Sequence, residues 1–264
     1  MSNPLTYVST PLPEGYRFKI SPSAFSNFIL FPHNWYRSEV LKEELFSYNT
    51  SSVIGTCVHY CAECVSKKIP VDENIINEYI DSFLIKEDYD PEVAKNSFKA
   101  MAECLVNDYV LENDFIDTEM QMSAPVKLDY AAAGTCDAVQ GTKEDTIVVD
   151  YKTYNSKTKP RAMPSYYRYQ LLVYAWMLKV NGYNPTRIRL VYVNRNIEGE
   201  ISEKTNKRLK SYPPEVTVLT ESITDEDLDF IYSLMELCVE SVEAVKKYPE
   251  LTHVIFHDPR LKIQ

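Results

Sequence analysis

Asp137, Asp150 and Lys152 carry the side-chain types needed to hold a divalent cation and act on a phosphate ester, and all three fall in one stretch, AAGTCDAVQGTKEDTIVVDYKT, at 132–153. Residues 146–152 read as a strand. At a period of two, Val148, Asp150 and Lys152 share one face, and Ile147, Val149 and Tyr151 share the other. Burying either charge alone would cost several kcal/mol, comparable with the net stability of a domain. A surface Asp–Lys pair at a strand end would explain the D-x-K spacing by itself. Asp137 weakens that explanation. A turn at Gly141 brings the strand bearing Asp137 back beside the one bearing Asp150. Two converging carboxylates repel each other, and a divalent ion relieves the repulsion. A neighbouring lysine can then orient or activate a water for attack on phosphorus.

The elements that must position these groups are legible on both sides. A Pro-rich start, 1–20, ends in a short strand at 16–20. Ser21-Pro22 has the signature of a helix start, and that helix runs to about Leu30, before Pro32. The aromatic segment 31–37 is expected to pack in the core. Residues 53–68 form a helix on which Cys57, Cys61 and Cys64 make one stripe, with His59 and Glu63 on roughly the opposite side. A histidine satisfied by a carboxylate one turn away accounts for that pair when it is taken alone. Helices follow at 72–85 and 91–113, then a strand at 115–124 bearing Glu119. Residues 155–164 are a basic loop. The helix 165–180, capped by Ser165 and ended by Asn181-Gly182, is apolar around most of its surface and so largely buried. Gln170 and Tyr174 share a face of it. A buried glutamine must find partners, so Gln170 is a structural tie or a site ligand. A strand at 187–193, a basic loop or hairpin at 195–212, a strand at 215–220, a helix at 224–248 and an extended end at 251–264 complete the chain. This is a mixed α/β order without a regular βαβ repeat. Six glycines leave no room for a phosphate-cradling loop.

The chain has 264 residues, 45% of them apolar, enough for one large domain with a proper core. No apolar run reaches the length of a membrane span, and the start resembles no signal segment, so an intracellular soluble protein is expected. Six cysteines do not suggest a secreted disulfide framework. The three on the stripe lie away from His59, so packing explains them better than a metal cluster. Net charge is −10, yet residues 151–210 hold 13 Lys/Arg against Glu198, Glu200 and Glu203. That segment begins inside the candidate site, so a polyanion would be guided to this face and repelled elsewhere.

Four motifs in order carry a resemblance: G-T-x-x-H-x-x-x-E (Gly55, Thr56, His59, Glu63), G-x-x-D (Gly134, Asp137), D-Y-K-T (150–153) and Q-x-x-x-Y (Gln170, Tyr174). Together they resemble the PD-(D/E)XK nucleases, and within them the RecB-type branch, which includes the nuclease domains of RecB and AddB, CRISPR-adaptation nucleases and small phage exonucleases. The segment S-P-S-A-F-S-N-F at 21–28 is similar to that branch's opening helix. The resemblance covers roughly residues 20–195. It implies a restriction-endonuclease-like α/β core, a central mixed sheet flanked by helices, with an N-terminal helical region. A single nuclease domain over 1–264 is expected: 20–115 mainly helical, 116–195 bearing the motifs, 196–264 adding a strand and a helix.

By the same resemblance, His59, Asp137 and Asp150 bind the metal, with the Tyr151 carbonyl as an extra ligand. Lys152 serves the attacking water. Gln170 and Tyr174 hold the lysine or the phosphate, and Glu63 supports His59 or a metal-bound water. Glu119 ranks behind these. Lys157, Lys159, Arg161 and Arg168 are expected along the DNA. Magnesium suits such oxygen ligands, and one histidine makes manganese a substitute. Relatives with an iron–sulfur cluster use three late cysteines. Here only Cys238 follows Gln170, so no cluster is expected. The expected activity is a metal-dependent DNA exonuclease in phage or bacterial recombination, repair or degradation. It would work in the cytoplasm of a bacterium or infected host, on single- or double-stranded ends, alongside a helicase, single-strand-binding or recombination protein. A structure-specific endonuclease and a non-catalytic DNA-end-binding protein are the alternatives.

Overall fold

The central strand, β3 (Tyr130–Gly141), borders three others. The structure, a computed structural model, describes residues 5, 9–43, 47–85, 87–154, 158–194 and 212–257. Along one side of β3 runs β2 (Phe115–Lys127), antiparallel. The other side is shared. β1 (Phe18–Ile20) pairs in parallel with Tyr130, Ala131 and Ala132, and β4 (Thr146–Tyr154) pairs antiparallel from Ala138 to Gly141. Between them, at 133–137, β3 has no strand neighbour on that side among the described residues. The sheet continues through β5 (Pro185–Asn194), parallel to β4, to β6 (Val216–Ser222), antiparallel to β5. The β3–β4 turn is tight: Gly141 has φ +87°, and a Cβ there would stand 2.2 Å from the Asp145 carbonyl oxygen. This six-stranded mixed sheet flanked by helices is the architecture the motifs imply.

Helices cover both faces. On one face lie α1 (Pro22–Leu30), α6 (Ser165–Val180) and α7 (Asp225–Lys247), packed around Val148, Leu171, Leu190 and Met235. On the other lie α3 (Thr50–Ser66), α4 (Glu73–Asp81) and α5 (Pro91–Leu105), packed around Ile54, Ile76, Met101, Val149 and Tyr151. The period-two split of β4 therefore holds: Val148 belongs to one core, Ile147, Val149 and Tyr151 to the other. The parallel pair β4–β5 needs a crossover, and α6 supplies it. Cys57, Cys61 and Cys64 face inward and are buried. No helix among the described residues is long and apolar enough to cross a membrane.

Several boundaries differ from the sequence reading. α4 ends at Asp81 rather than near residue 85, because its apolar stripe stops at Ile80 and leaves Leu84 and Ile85 exposed. α5 passes into a π-helical turn, Val106–Val110, that seats Tyr109 and Val110 in the core. Pro164 caps α6, and Ser165 is its first helical residue; no side chain caps it. Of the end expected to be extended, the described part, 251–257, is mostly helical instead. After α2 (Pro32–Trp35) and a π-helical turn (Tyr36–Val40) early in the chain, a late helix α8 (Thr252–Ile255) brings Phe256 against Phe28, Trp35 and Tyr36. Burying that ring contributes about 2 kcal/mol, which short-range pattern reading does not see. The basic excursion at 195–211 lies outside the described residues.

Candidate active site

The site forms where β3 passes from one strand neighbour to the next. Thr118 pairs with Ala138 and Met120 with Cys136, so Glu119 stands opposite Asp137. Glu119 holds a left-handed backbone, φ +51°, a conformation that costs a non-glycine residue on the order of 1 kcal/mol or more. Asp137 is fixed by the Tyr151 N–H, which donates to its Oδ2 at 2.7 Å. α3 contributes His59, whose Nδ1 lies 3.6 Å from the same oxygen. The ring also hydrogen-bonds the Tyr151 backbone and meets the Tyr151 ring edge-on at 5.9 Å. Ligand atoms of His59, Glu119 and Asp137 all lie within 4.8 Å of one another. One imidazole and two carboxylates at that spacing fit a hard or borderline divalent cation.

Asp150 stands beside this trio, not within it. Its carboxylate is 2% exposed by residue and is gripped from two sides. Lys152 Nζ donates to Oδ1 at 2.8 Å and lies 2.7 Å from Oδ2, and Gln170 Nε2 donates to Oδ1 at 3.0 Å. Tyr174, one turn along α6, hydrogen-bonds the Gln170 side chain. Gln170 is thus the tie that holds Asp150, and Lys152 also lies over the Tyr167 ring at 5.3 Å. Glu63 pairs with Lys67 at 2.7 Å on the α3 face that carries His59.

The electrostatics of these groups suit a bound cation. Burial, then Asp137 and Glu63, push the Glu119 carboxyl up to about 8. Burial likewise raises Asp137, against the pull of Lys152 and the Tyr151 N–H. Asp150 is pushed up to about 6 by burial, with Asp137 adding and Lys152 opposing. Burial and Lys152 lower His59 to about 4, so its ring is neutral at pH 7 with a lone pair to offer. Burial works against the Lys152 charge, but Asp150 and Asp137 outweigh it and hold the ammonium protonated. A divalent ion at the trio would remove the repulsion that the acids suffer.

The G-x-x-D glycine has a steric reason. A Cβ on Gly134 would stand 2.8 Å from Pro22 Cδ and 3.2 Å from Tyr174 Cε1. Without that Cβ, α1 and α6 close on the open edge of β3.

The expected DNA contacts are less uniform. Arg168 is held by Glu221 at 3.1 Å and Asp227 at 2.8 Å, and Lys159 by Glu215 at 2.7 Å. Lys179 and Arg187 pair with Asp225 and Asp145. Among the described residues of the basic segment, Lys159, Arg168, Lys179 and Arg187 therefore already face acids. Arg161 is exposed, and Lys157 lies outside the described residues.

A sequence model of the PD-(D/E)XK nuclease superfamily matches residues 19–244. No curated protein sequence matches the chain significantly. Among solved structures, a Eubacterium rectale protein provisionally described as an exonuclease aligns with TM-score 0.54 at 15% identity, covering 95% of this chain and 90% of that one. An alkaline exonuclease from Laribacter hongkongensis aligns with TM-score 0.36 at 13% identity, covering 73% and 92%. A third structure, SSO0001, gives 0.31 at 15% identity, covering 79% and 84%. The first shares the fold; the other two overlap too loosely to carry an argument.

Proposed function

The chain belongs to the PD-(D/E)XK nuclease superfamily, and on that premise we propose that it is a magnesium-dependent deoxyribonuclease that removes nucleotides from DNA ends. The observation that carries this is the His59–Glu119–Asp137 trio set beside the Asp150–Lys152–Gln170 cluster. A divalent ion, when bound, supplies positive charge to a phosphate oxygen and acidity to a water. The chain's own residues do the rest. Asp137, oriented by the Tyr151 N–H, holds the ion with Glu119 and His59. Lys152 keeps its proton at Nζ, so it donates a hydrogen bond to the water or to the scissile phosphate and stabilises charge as it develops there. Asp150 aims that ammonium, and Gln170 and Tyr174 keep Asp150 from turning away. A purely end-binding protein would have no use for so costly a buried pair.

We read the chain as one nuclease unit, because β1 from its start and β6 and α7 from its end complete the same cores. The deciding experiment follows end-labelled linear DNA and covalently closed circular DNA over time, with magnesium, manganese or excess EDTA. Loss of label from linear DNA, survival of the circle and silence in EDTA are expected. Prompt nicking of the circle would favour the endonuclease, and full activity in EDTA would overturn the metal reading.

A further inference from the structure

The trio lies at the floor of a cleft of about 1140 Å³, walled by α3, the end of α4 and the middle of β2. Two properties of its lining are unequal. Positive charge is scarce: Lys67 is the one Lys or Arg among the described lining residues, and Glu63 already holds it. Glu63, Asp117, Glu119 and Asp137 all face the same space. A phosphate backbone lying along these walls would be repelled everywhere except at the ion. Aromatic surface, by contrast, is plentiful. Tyr60 on α3 and Tyr79 and Phe83 at the end of α4 line the cleft.

These rings are braced. Tyr79 meets Phe83 edge-on at 5.0 Å, and Phe83 rests against Tyr48 at 4.5 Å and Tyr89 at 5.7 Å. Tyr89 is buried, and its hydroxyl donates to the Ile80 carbonyl at the end of α4. Phe83 is only partly covered. Rings already immobilised lose little entropy when something stacks on them. Bases stack on such rings whatever their sequence, but only when they are unstacked from their neighbours and unpaired. Within a duplex the bases face inward and the phosphates outward, the wrong way round for an acidic cleft with aromatic walls.

We propose that the cleft receives the unpaired nucleotides of a strand terminus, their bases against Phe83 and Tyr79 and a phosphate at the floor. The preferred substrate is then a single strand, or a duplex end with an unpaired tail, and not a flush duplex end. This rests on the nuclease reading above and adds the substrate class.

The test compares kcat/KM, with magnesium, for a single-stranded oligonucleotide, an abasic strand of the same length, a duplex with a short unpaired tail and a flush duplex. The single strand and the tailed duplex should each exceed the flush duplex and the abasic strand by about tenfold or more. Phe83→Leu keeps apolar volume against Tyr48 and Tyr89 but removes the ring. It should lower kcat/KM for the single strand, mainly through KM, and narrow its advantage over the abasic strand. Tyr79→Phe, which keeps the ring, should retain that advantage. Equal cleavage of abasic and normal strands, or preference for the flush duplex, overturns the proposal, and that comparison needs only the wild-type chain. No cleavage of any substrate with magnesium or manganese would instead remove the nuclease premise, and the proposal with it.

Discussion

Glu119 faces Asp137 across the β2–β3 ladder, and it does so from a left-handed backbone. Such strain persists only where surrounding structure enforces it, and it gathers at sites that use it. Glu119→Gly should relieve the strain and remove a crowded carboxylate. In EDTA the variant should therefore melt at the same temperature as wild type or higher. The thermal shift that manganese gives wild type should shrink, because a ligand is gone. A full manganese shift in Glu119→Gly would exclude Glu119 from the ion.

Asp150 and Asp137 should part company in metal titrations. Asp137→Asn and Glu119→Gln each remove a member of the trio, and calorimetry should show manganese affinity falling by about tenfold or more. Asp150→Asn should weaken it less, since that carboxylate is engaged by Lys152 and Gln170. Equal losses would place Asp150 on the ion.

Lys152→Ala should lower the cleavage rate on the order of a hundredfold or more while leaving manganese affinity largely intact. Thermal melts must first show the variant folded, because it leaves Asp150 buried without its partner. A folded Lys152→Ala that cuts at the wild-type rate would reduce the lysine to a structural partner of Asp150.

Gly134→Ala should destabilise the chain by about 1–3 kcal/mol in urea unfolding, since the added Cβ would meet both Pro22 and Tyr174 and neither ring can yield cheaply. Wild-type stability in this variant would mean that α1 and α6 do not close on β3 as described.

Arg168 yields a pH prediction. Its hydrogen bond is the main reason the Asp227 carboxyl lies below its ordinary 3.8. A carboxylate lowered in the folded state stabilises above its unfolded pKa, and that contribution is lost as pH falls through the folded value. Arg168→Gln should therefore cost about 1 kcal/mol at pH 7, both partners being about a third exposed or less. The difference from wild type should fade below pH 3.8. A difference that persists undiminished at pH 3 would point to lost packing, not lost charge.

How much of this was readable beforehand depended on the distance over which each cause acts. The β3–β4 turn, the period-two split of β4 and the inward cysteine face of α3 all follow from neighbours in sequence. The place of Glu119 opposite Asp137 is not legible in the sequence, because a left-handed residue in a strand leaves no mark on composition. Counting back from the Leu128–Asp129 turn would set Met120 against Asp137; the irregularity between Pro125 and Lys127 moves the register by one and brings Glu119 there instead. Phe256 was misjudged because its partners, Phe28, Trp35 and Tyr36, lie at the other end of the chain. The pairing of Lys159, Arg168 and Lys179 was not legible because their partners, Glu215, Glu221, Asp225 and Asp227, follow the loop at 195–211 and lie far from them in sequence.

The divided edge of β3 also bears on how the protein is made. His59, Glu119, Asp137, Asp150 and Gln170 reach the site in chain order, and β1 waits for Tyr130 before it has a strand to join. A ribosome releases the chain from its N-terminus, so the last of these parts, Gln170, emerges well after the first. The acids come to repel one another only as the fold brings them together, and an ion would relieve that repulsion. It follows that the nascent chain passes through most of its synthesis without the means to cut, and cleavage arrives with completion of the fold.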